Sequence, residues 1–270
     1  MPEIFSSPAP PAVLVTGGAK RIGATIARAF GEAGWHVVIH YHRSSKEACD
    51  LADDLPSSEV VQCDLADGDA AAQMVEDLSV RLDNWCALVN SAAIFPYDDV
   101  TLLDPEANKR AMQINAETPT RMAQIFLSHS RAHKGRRVIQ ITDQKLENPN
   151  PDFFSYTMSK NALSATIPML AQLAADGGAA GPDDRVYGLA PGAILASYDQ
   201  SETETEISHR LNLLKRKTGA DEIADACLFL AEGHLESGQT LFVDSGQHLL
   251  NQKRDIIYLA RAMQNGGASR

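Results

Sequence analysis

The stretch ITDQKLENPNPDFFSYTMSK, residues 141–160, holds Asp143, Tyr156 and Lys160, side chains whose types and spacing could move a proton. Tyr156 and Lys160 stand four positions apart, so on a helix they share a face. An ammonium beside a phenol favours the phenolate, and the pairing predicts a tyrosine pKa below its ordinary value of about 10. A phenol tuned in this way can give its proton to a substrate atom while hydride arrives at the neighbouring carbon. Asp143 precedes this pair on the same stretch. A carbonyl under reduction develops negative charge on oxygen, which a carboxylate would repel and a hydroxyl would support. A dihydropterin instead offers a C=N bond and N–H donors, and its ring nitrogen must gain a proton. Asp143 can accept from such an N–H, or from Tyr156, and help relay that proton. The same aspartate could simply cap a turn before NPNP.

Side chains of this kind need a frame. Short β-type runs recur along the chain, at 12–17, 36–41, 59–64, 86–91, 136–142, 185–190 and 240–244. Most are apolar without interruption, the pattern of parallel strands covered on both faces. Between them lie helical patterns such as RIGATIARAFGEAG, with Gly34 at its C-cap, and GDAAAQMVEDLSVRL. This alternation predicts one doubly wound Rossmann-type α/β domain, with about seven parallel strands and helices on both sheet faces. A lead-in over 1–11, the domain over 12–250 and an extension over 251–270 complete the expected organisation. Ligands of such sheets bind beyond the carboxyl ends of the strands.

The first strand runs into TGGAKRIG, residues 16–23. Gly17 and Gly18 permit a tight turn, Gly23 lets the helix approach the strand, and the helix N-terminus suits a phosphate. After the second strand the chain offers His42, Arg43 and Ser44 where an acid would hold the 2′-hydroxyl of NAD. Arg21 can reach the same region, and guanidinium suits phosphate oxygens, so the expected cofactor is NADP(H). Asp64 either accepts from the adenine amino group or caps LADGD. His40 and His42, expected to alternate across the strand, are not read as a metal pair, and no metal is expected.

Charge and composition narrow the class. With 270 residues, 44% hydrophobic, 22% charged and a net charge of -11, the chain reads as an ordinary globular protein without the basic stripe of a nucleic-acid binder. Nothing approaches the roughly 20 apolar residues of a membrane span, and the N-terminus lacks secretory features. Cys49, Cys63, Cys86 and Cys227 form no CxxC pair and read as reduced thiols of a cytoplasmic protein.

Taken together, TGGAKRIG, DL at 64–65, NSAA at 90–93, QINAETP at 113–119, YTMSK at 156–160, PG at 191–192 and VDSG at 243–246 resemble a short-chain dehydrogenase/reductase over nearly the whole chain. The resemblance implies catalytic roles for Asn115, Tyr156 and Lys160, with Asn115 holding a water and the helix that supports Lys160. It assigns the cofactor to Gly17, Lys20, Arg21, Ile22, Asp64, Leu65, Asn90, Ala92, Lys160, Pro191 and Gly192, besides His42, Arg43 and Ser44. It also implies a homotetramer. Two departures, Arg21 for a glycine and Asp143 for the usual serine, resemble pteridine reductases and dihydromonapterin reductases. Phe95 matches the aromatic residue on which those enzymes stack the pterin, so Phe95, Asp143 and Tyr156 are the expected substrate contacts. Ala93 departs from them, falling where they carry a serine. The segment 193–217 is expected to cover the substrate. In the tail, Ile256, Ile257, Leu259, Ala260 and Met263 form a stripe that could pack on a neighbouring subunit. The expected activity is NADPH-dependent reduction of a dihydropterin such as dihydromonapterin, dihydrobiopterin or dihydrofolate. A carbonyl or alcohol substrate, and a non-catalytic NADP(H)-binding regulator, are the two other readings.

Overall fold

In β1 (Ala12–Val15) neighbouring residues belong to different cores. Val13 and Val15 pack on one side of the sheet, Ala12 and Leu14 on the other. The same division runs through β2 (His36–Tyr41), where Val37 and Ile39 oppose Val38, and through β5 (Arg137–Ile141), where Ile139 and Ile141 oppose Val138. A strand with both faces buried has no polar alternation to show, which is why these runs are largely apolar.

The computed structural model describes residues 9–175, 181–196 and 200–265. Most of the expected lead-in, part of the 193–217 segment and the last five residues of the tail fall outside them. β3 (Ser58–Gln62), β4 (Trp85–Asn90), β6 (Arg185–Pro191) and β7 (Thr240–Val243) complete a seven-stranded parallel sheet of order β3-β2-β1-β4-β5-β6-β7. The expected runs at 12–17 and 59–64 extend too far: β1 ends at Val15 and β3 at Gln62, because Gly17 and Asp64 already belong to the turns that follow these strands.

Helices α1 (Arg21–Glu32) and α8 (Ala220–Glu232) supply Ile26, Phe30, Ile223 and Leu230 to the first core. Helices α3 (Gly68–Arg81), α5 (Thr118–His129) and α6 (Phe154–Ala175) supply Leu78, Met122, Phe126 and Ile167 to the second. The remaining helices are α2 (Ser45–Asp54), α4 (Pro105–Met112), α7 (Glu202–His209) and α9 (Ile256–Gln264). Gly34 takes the left-handed backbone expected of a helix stop, at φ 83°. Among the described residues no helix is long and apolar enough to cross a membrane. The sheet order reverses between β1 and β4, which opens the crevice at their carboxyl ends.

Candidate active site

The glycine turn after β1 is built for a close approach. Gly17 has φ 64°, and a Cβ at Gly23 would overlap the Gly17 carbonyl. No side chain caps the start of α1, whose first amides have no intrahelical partner at the crevice. Arg21 has a left-handed backbone, at φ 55°, a conformation that costs a non-glycine residue about 1 kcal/mol. Its guanidinium also reaches the loop after β6, where Nη2 donates to the Ala196 carbonyl (3.0 Å). Lys20 turns to Glu47 on α2 (2.7 Å). Ile22 packs on the first core and Leu65 on the second.

At the end of β2, His42 faces Asp64 at 3.5 Å, while Arg43 is exposed and Ser44 stands at the N-cap of α2. Asp64 Oδ1 accepts from Ala66 N (3.0 Å), so the turn-capping alternative is realised by one oxygen while the other faces His42. The expected separation of His40 and His42 has another cause. Period-two alternation would put residues 40 and 42 on one face, but β2 ends at Tyr41. His40 is instead buried, its Nδ1 accepting from Gly17 N (3.1 Å) and its Nε2 donating to Cys63 O (3.1 Å). Burial pushes its pKa down to about 4, so it ties the glycine turn to β3 as a neutral ring. Sequence reasoning missed this role.

Beyond β4, Asn90 is buried and donates to Gln140 Oε1 (3.0 Å) and Pro119 O (3.1 Å). Ala92 N donates to Thr16 Oγ1 (3.0 Å), and its Cα lies against Gly17. Pro191 ends β6, and Gly192 follows so close to Asp244 and Gln247 that a Cβ there would overlap them. These groups line the crevice side of β1, β4 and β6.

Asn115 sits in a single π-helical turn, Gln113–Glu117, between α4 and α5. Its Oδ1 accepts from Ile94 N (2.8 Å), and its Nδ2 donates to Ile94 O (2.9 Å) and Ser159 Oγ (3.0 Å). It therefore joins the Phe95 loop to α6, beside Lys160. Asp98, which sequence reasoning also missed, does the same from the other end: it accepts from Ser155 N (2.9 Å) and Ser155 Oγ (2.5 Å) at the start of α6.

Tyr156 Oη donates to Asp143 Oδ2 (2.7 Å), while Asp143 Oδ1 accepts from Lys145 N (2.9 Å). The aspartate thus both accepts from the tyrosine and caps the turn, one contact on each oxygen. Burial pushes the Asp143 carboxyl up, against the opposing pull of Lys145. The expected lowering of the tyrosine does not occur. Burial, then the Asp143 charge, raise the Tyr156 phenol well above its ordinary value. Lys160 spends its Nζ on the Ile141 carbonyl (2.6 Å), 5.8 Å from the Tyr156 ring centre, and burial lowers its pKa to about 8. Helical spacing brings the pair together as expected, but burial, reinforced by the carboxylate hydrogen-bonded to the phenol, sets the sign.

Phe95 is 42% exposed and stacks on Phe153 at 3.9 Å, with Tyr156 edge-on at 4.5 Å. Phe153 holds a left-handed backbone, φ 55°, of the kind that gathers at functional sites. Tyr97 and Tyr258 extend this aromatic wall. The tail stripe is corrected in part: Ile257 packs on Phe153 and Tyr156 of its own chain, whereas Met263 is exposed.

A family model described as enoyl-(acyl carrier protein) reductase matches residues 17–248, from the glycine turn to the end of the sheet. The chain belongs to the short-chain dehydrogenase/reductase family. Within it, the chain is similar to the crystal structure of FolM alternative dihydrofolate reductase 1 from Brucella canis complexed with NADP. That match has 33% identity, a TM-score of 0.82 and covers 92% of this chain and 98% of that one. Pteridine reductase 1 of Leishmania tarentolae is 28% identical, over 90% of this chain and 98% of that protein. The angucycline C-6 ketoreductase LanV, solved with bound NADP, is 26% identical with a TM-score of 0.78, over 89% and 96% of the two chains. As a member of the short-chain dehydrogenase/reductase family, the chain is an oxidoreductase.

Proposed function

We propose that this protein is an NADPH-dependent reductase of a dihydropterin, with Tyr156 as proton donor and Asp143 as its partner. One observation carries the reading: the 2.7 Å hydrogen bond from Tyr156 to a carboxylate whose own pKa is raised, beside the exposed face of Phe95. The similar FolM and pteridine reductases support the substrate class.

The glycine turn, the uncapped α1 terminus and the Gly192 cradle fit a dinucleotide, with Arg21, His42, Arg43 and Ser44 near its 2′-phosphate. When bound, NADPH supplies hydride to the carbon of the substrate C=N bond. Tyr156 then gives the Oη proton to the ring nitrogen, which closes the balance of one hydride and one proton per tetrahydropterin formed. Asp143 accepts from Tyr156 before transfer and returns a proton to it from solvent. Lys160, with a pKa of about 8, is cationic at neutral pH and offsets the charge left on the phenol–carboxyl pair. Phe95, supported from behind by Phe153, presents a flat apolar face to a pterin ring. The same reading takes the protein as a cytoplasmic homotetramer, and its four unbridged cysteines support a reducing compartment.

The test is the initial rate of NADPH oxidation with dihydropterins and dihydrofolate against a panel of carbonyl compounds, with Asp143→Ser alongside. Dihydropterin turnover falling about 100-fold in the variant is the expected result. The similar ketoreductase favours the second reading, a carbonyl substrate; turnover of carbonyls alone, unchanged in Asp143→Ser, would establish it. A second variant isolates the cofactor end. Arg21→Gly is expected to relieve the left-handed backbone, raising stability by about 1 kcal/mol in urea. It should also weaken NADPH binding about tenfold while leaving NADH binding unchanged; equal loss for both cofactors would remove Arg21 from the 2′-phosphate.

A further inference from the structure

The turn that carries Asp143 is held by a part of the chain more than a hundred residues away. Lys145 gives its backbone N–H to Asp143 Oδ1, and its Nζ lies 2.6 Å from Asp255 Oδ2. The two side chains are only 5% and 6% exposed. The same Nζ donates to Asn150 Oδ1 (3.2 Å) and Asp152 O (3.3 Å) and stands 5.2 Å from the Phe153 ring centre. Asp255 is shared as well: its Oδ1 accepts from Ile257 N (3.0 Å) and so starts α9.

A second clamp lies alongside. Asp152 accepts from Arg254 Nε (2.8 Å) and Nη2 (2.8 Å) and from Asp255 N (2.7 Å). Phe153, the next residue, has the left-handed backbone and carries the stack under Phe95. Ile257 packs on both Phe153 and Tyr156. The segment thus touches every part of the site that handles the substrate: the Asp143 turn, the phenol and the aromatic wall.

We infer that residues 254–258 are a working part of the reaction site, with Asp255 acting through Lys145 as a positioning residue for Asp143 and Tyr156. The inference rests on reading Tyr156 and Asp143 as the proton-handling pair. A buried ion pair is a weak stabiliser compared with apolar packing of the same volume, so simple anchorage of the tail gives little reason for one. Its charges do have a use here. Tyr156 is surrounded by Asp143 and Lys145 from the β5–α6 connection, Lys160 from its own helix and Asp255 from the tail, while Asp152 and Arg254 neutralise each other. The Asp255 charge is among the causes that keep the phenol protonated, and the Lys145 charge among those that oppose the rise at Asp143. The pair therefore holds the two proton affinities in balance while fixing the Asp143 turn.

Asp255→Asn keeps the shape and leaves Lys145 uncompensated. The expected kcat is about tenfold lower, because the turn that aims Asp143 loosens, with the KM for NADPH unchanged and kcat restored partly in Asp255→Glu. A readout without substrate runs in parallel. In protein labelled with 3-fluorotyrosine, whose phenol is more acidic than that of tyrosine, the Tyr156 resonance is assigned by its loss in Tyr156→Phe. Its titration should move down by about half a pH unit or more in Asp255→Asn. Folded Asp255→Asn protein with unchanged kcat and unchanged titration would overturn the inference. Should that variant not fold, Lys145→Met/Asp255→Leu replaces the buried pair by apolar groups, and full kcat in it would be equally fatal. If the wild type reduces no dihydropterin, the substrate reading fails while the fluorine titration still decides the role of Asp255.

Discussion

Tyr156→Phe is expected to lower kcat by about 1,000-fold, within the range that one positioned proton donor contributes. NADPH affinity should stay the same, since the phenol touches Asp143 and the aromatic wall, not the glycine turn. The Phe ring keeps the packing against Ile257 and Phe153, so the loss belongs to chemistry. Asp143 loses its partner, and with it one of the contacts that hold its carboxyl down; its pKa should rise further. Steady-state rates and a fluorescence titration with NADPH separate the two effects. A variant retaining kcat within about threefold would move the proton donor elsewhere.

His40 should make the fold acid-sensitive by about 3 kcal/mol. Its pKa is about 4 in the folded protein against 6.5 when unfolded, and each pKa unit corresponds to about 1.4 kcal/mol. As pH falls from 6.5 toward 4 the unfolded chain takes up this proton and the folded protein does not, so stability is lost across that window. Below it the loss is complete. Glu59, lowered to about 2 by His36 and Arg81, acts in a lower window and can be told apart. Urea unfolding at pH 7 and pH 4.5 measures the difference, and His40→Asn should flatten it. The variant should also weaken cofactor binding at pH 7, because Gly17 N loses the imidazole that orients it. An equal pH slope in both proteins would deny His40 this role.

Much of this was readable from the chain. Uninterrupted apolar runs signalled strands with two covered faces, the spacing of Gly17 and Gly23 signalled a close βα turn, and the i, i+4 placement of Tyr156 and Lys160 put them on one face. Each of these is a local property of a few residues. What failed to show was set by distance in space. The sign of the Tyr156 shift is set first by burial and then by the Asp143 carboxylate, which the fold brings into hydrogen bond with its oxygen. Arg21 was read toward His42 and Ser44 alone, and no local pattern announces that its Nη2 also contacts the loop after β6. Lys145 and Asp255 were two unremarked charges until the fold brought them together. His40 was weighed only as a metal ligand, because no spacing rule connects it to Gly17.

The π-helical turn at Gln113–Glu117 has one more effect. Each residue turns an α-helix by about 100°, so an extra residue in a regular helix would shift the rotational phase of everything after it. Upstream, α4 packs beside α6; downstream, Met122 and Phe126 of α5 enter the second core. The wider turn takes up one extra residue while leaving that phase nearly unchanged. Removing a single residue here would therefore restore regular helix with Met122 and Phe126 still facing the sheet, and would displace Asn115 from Ile94 and Ser159 instead.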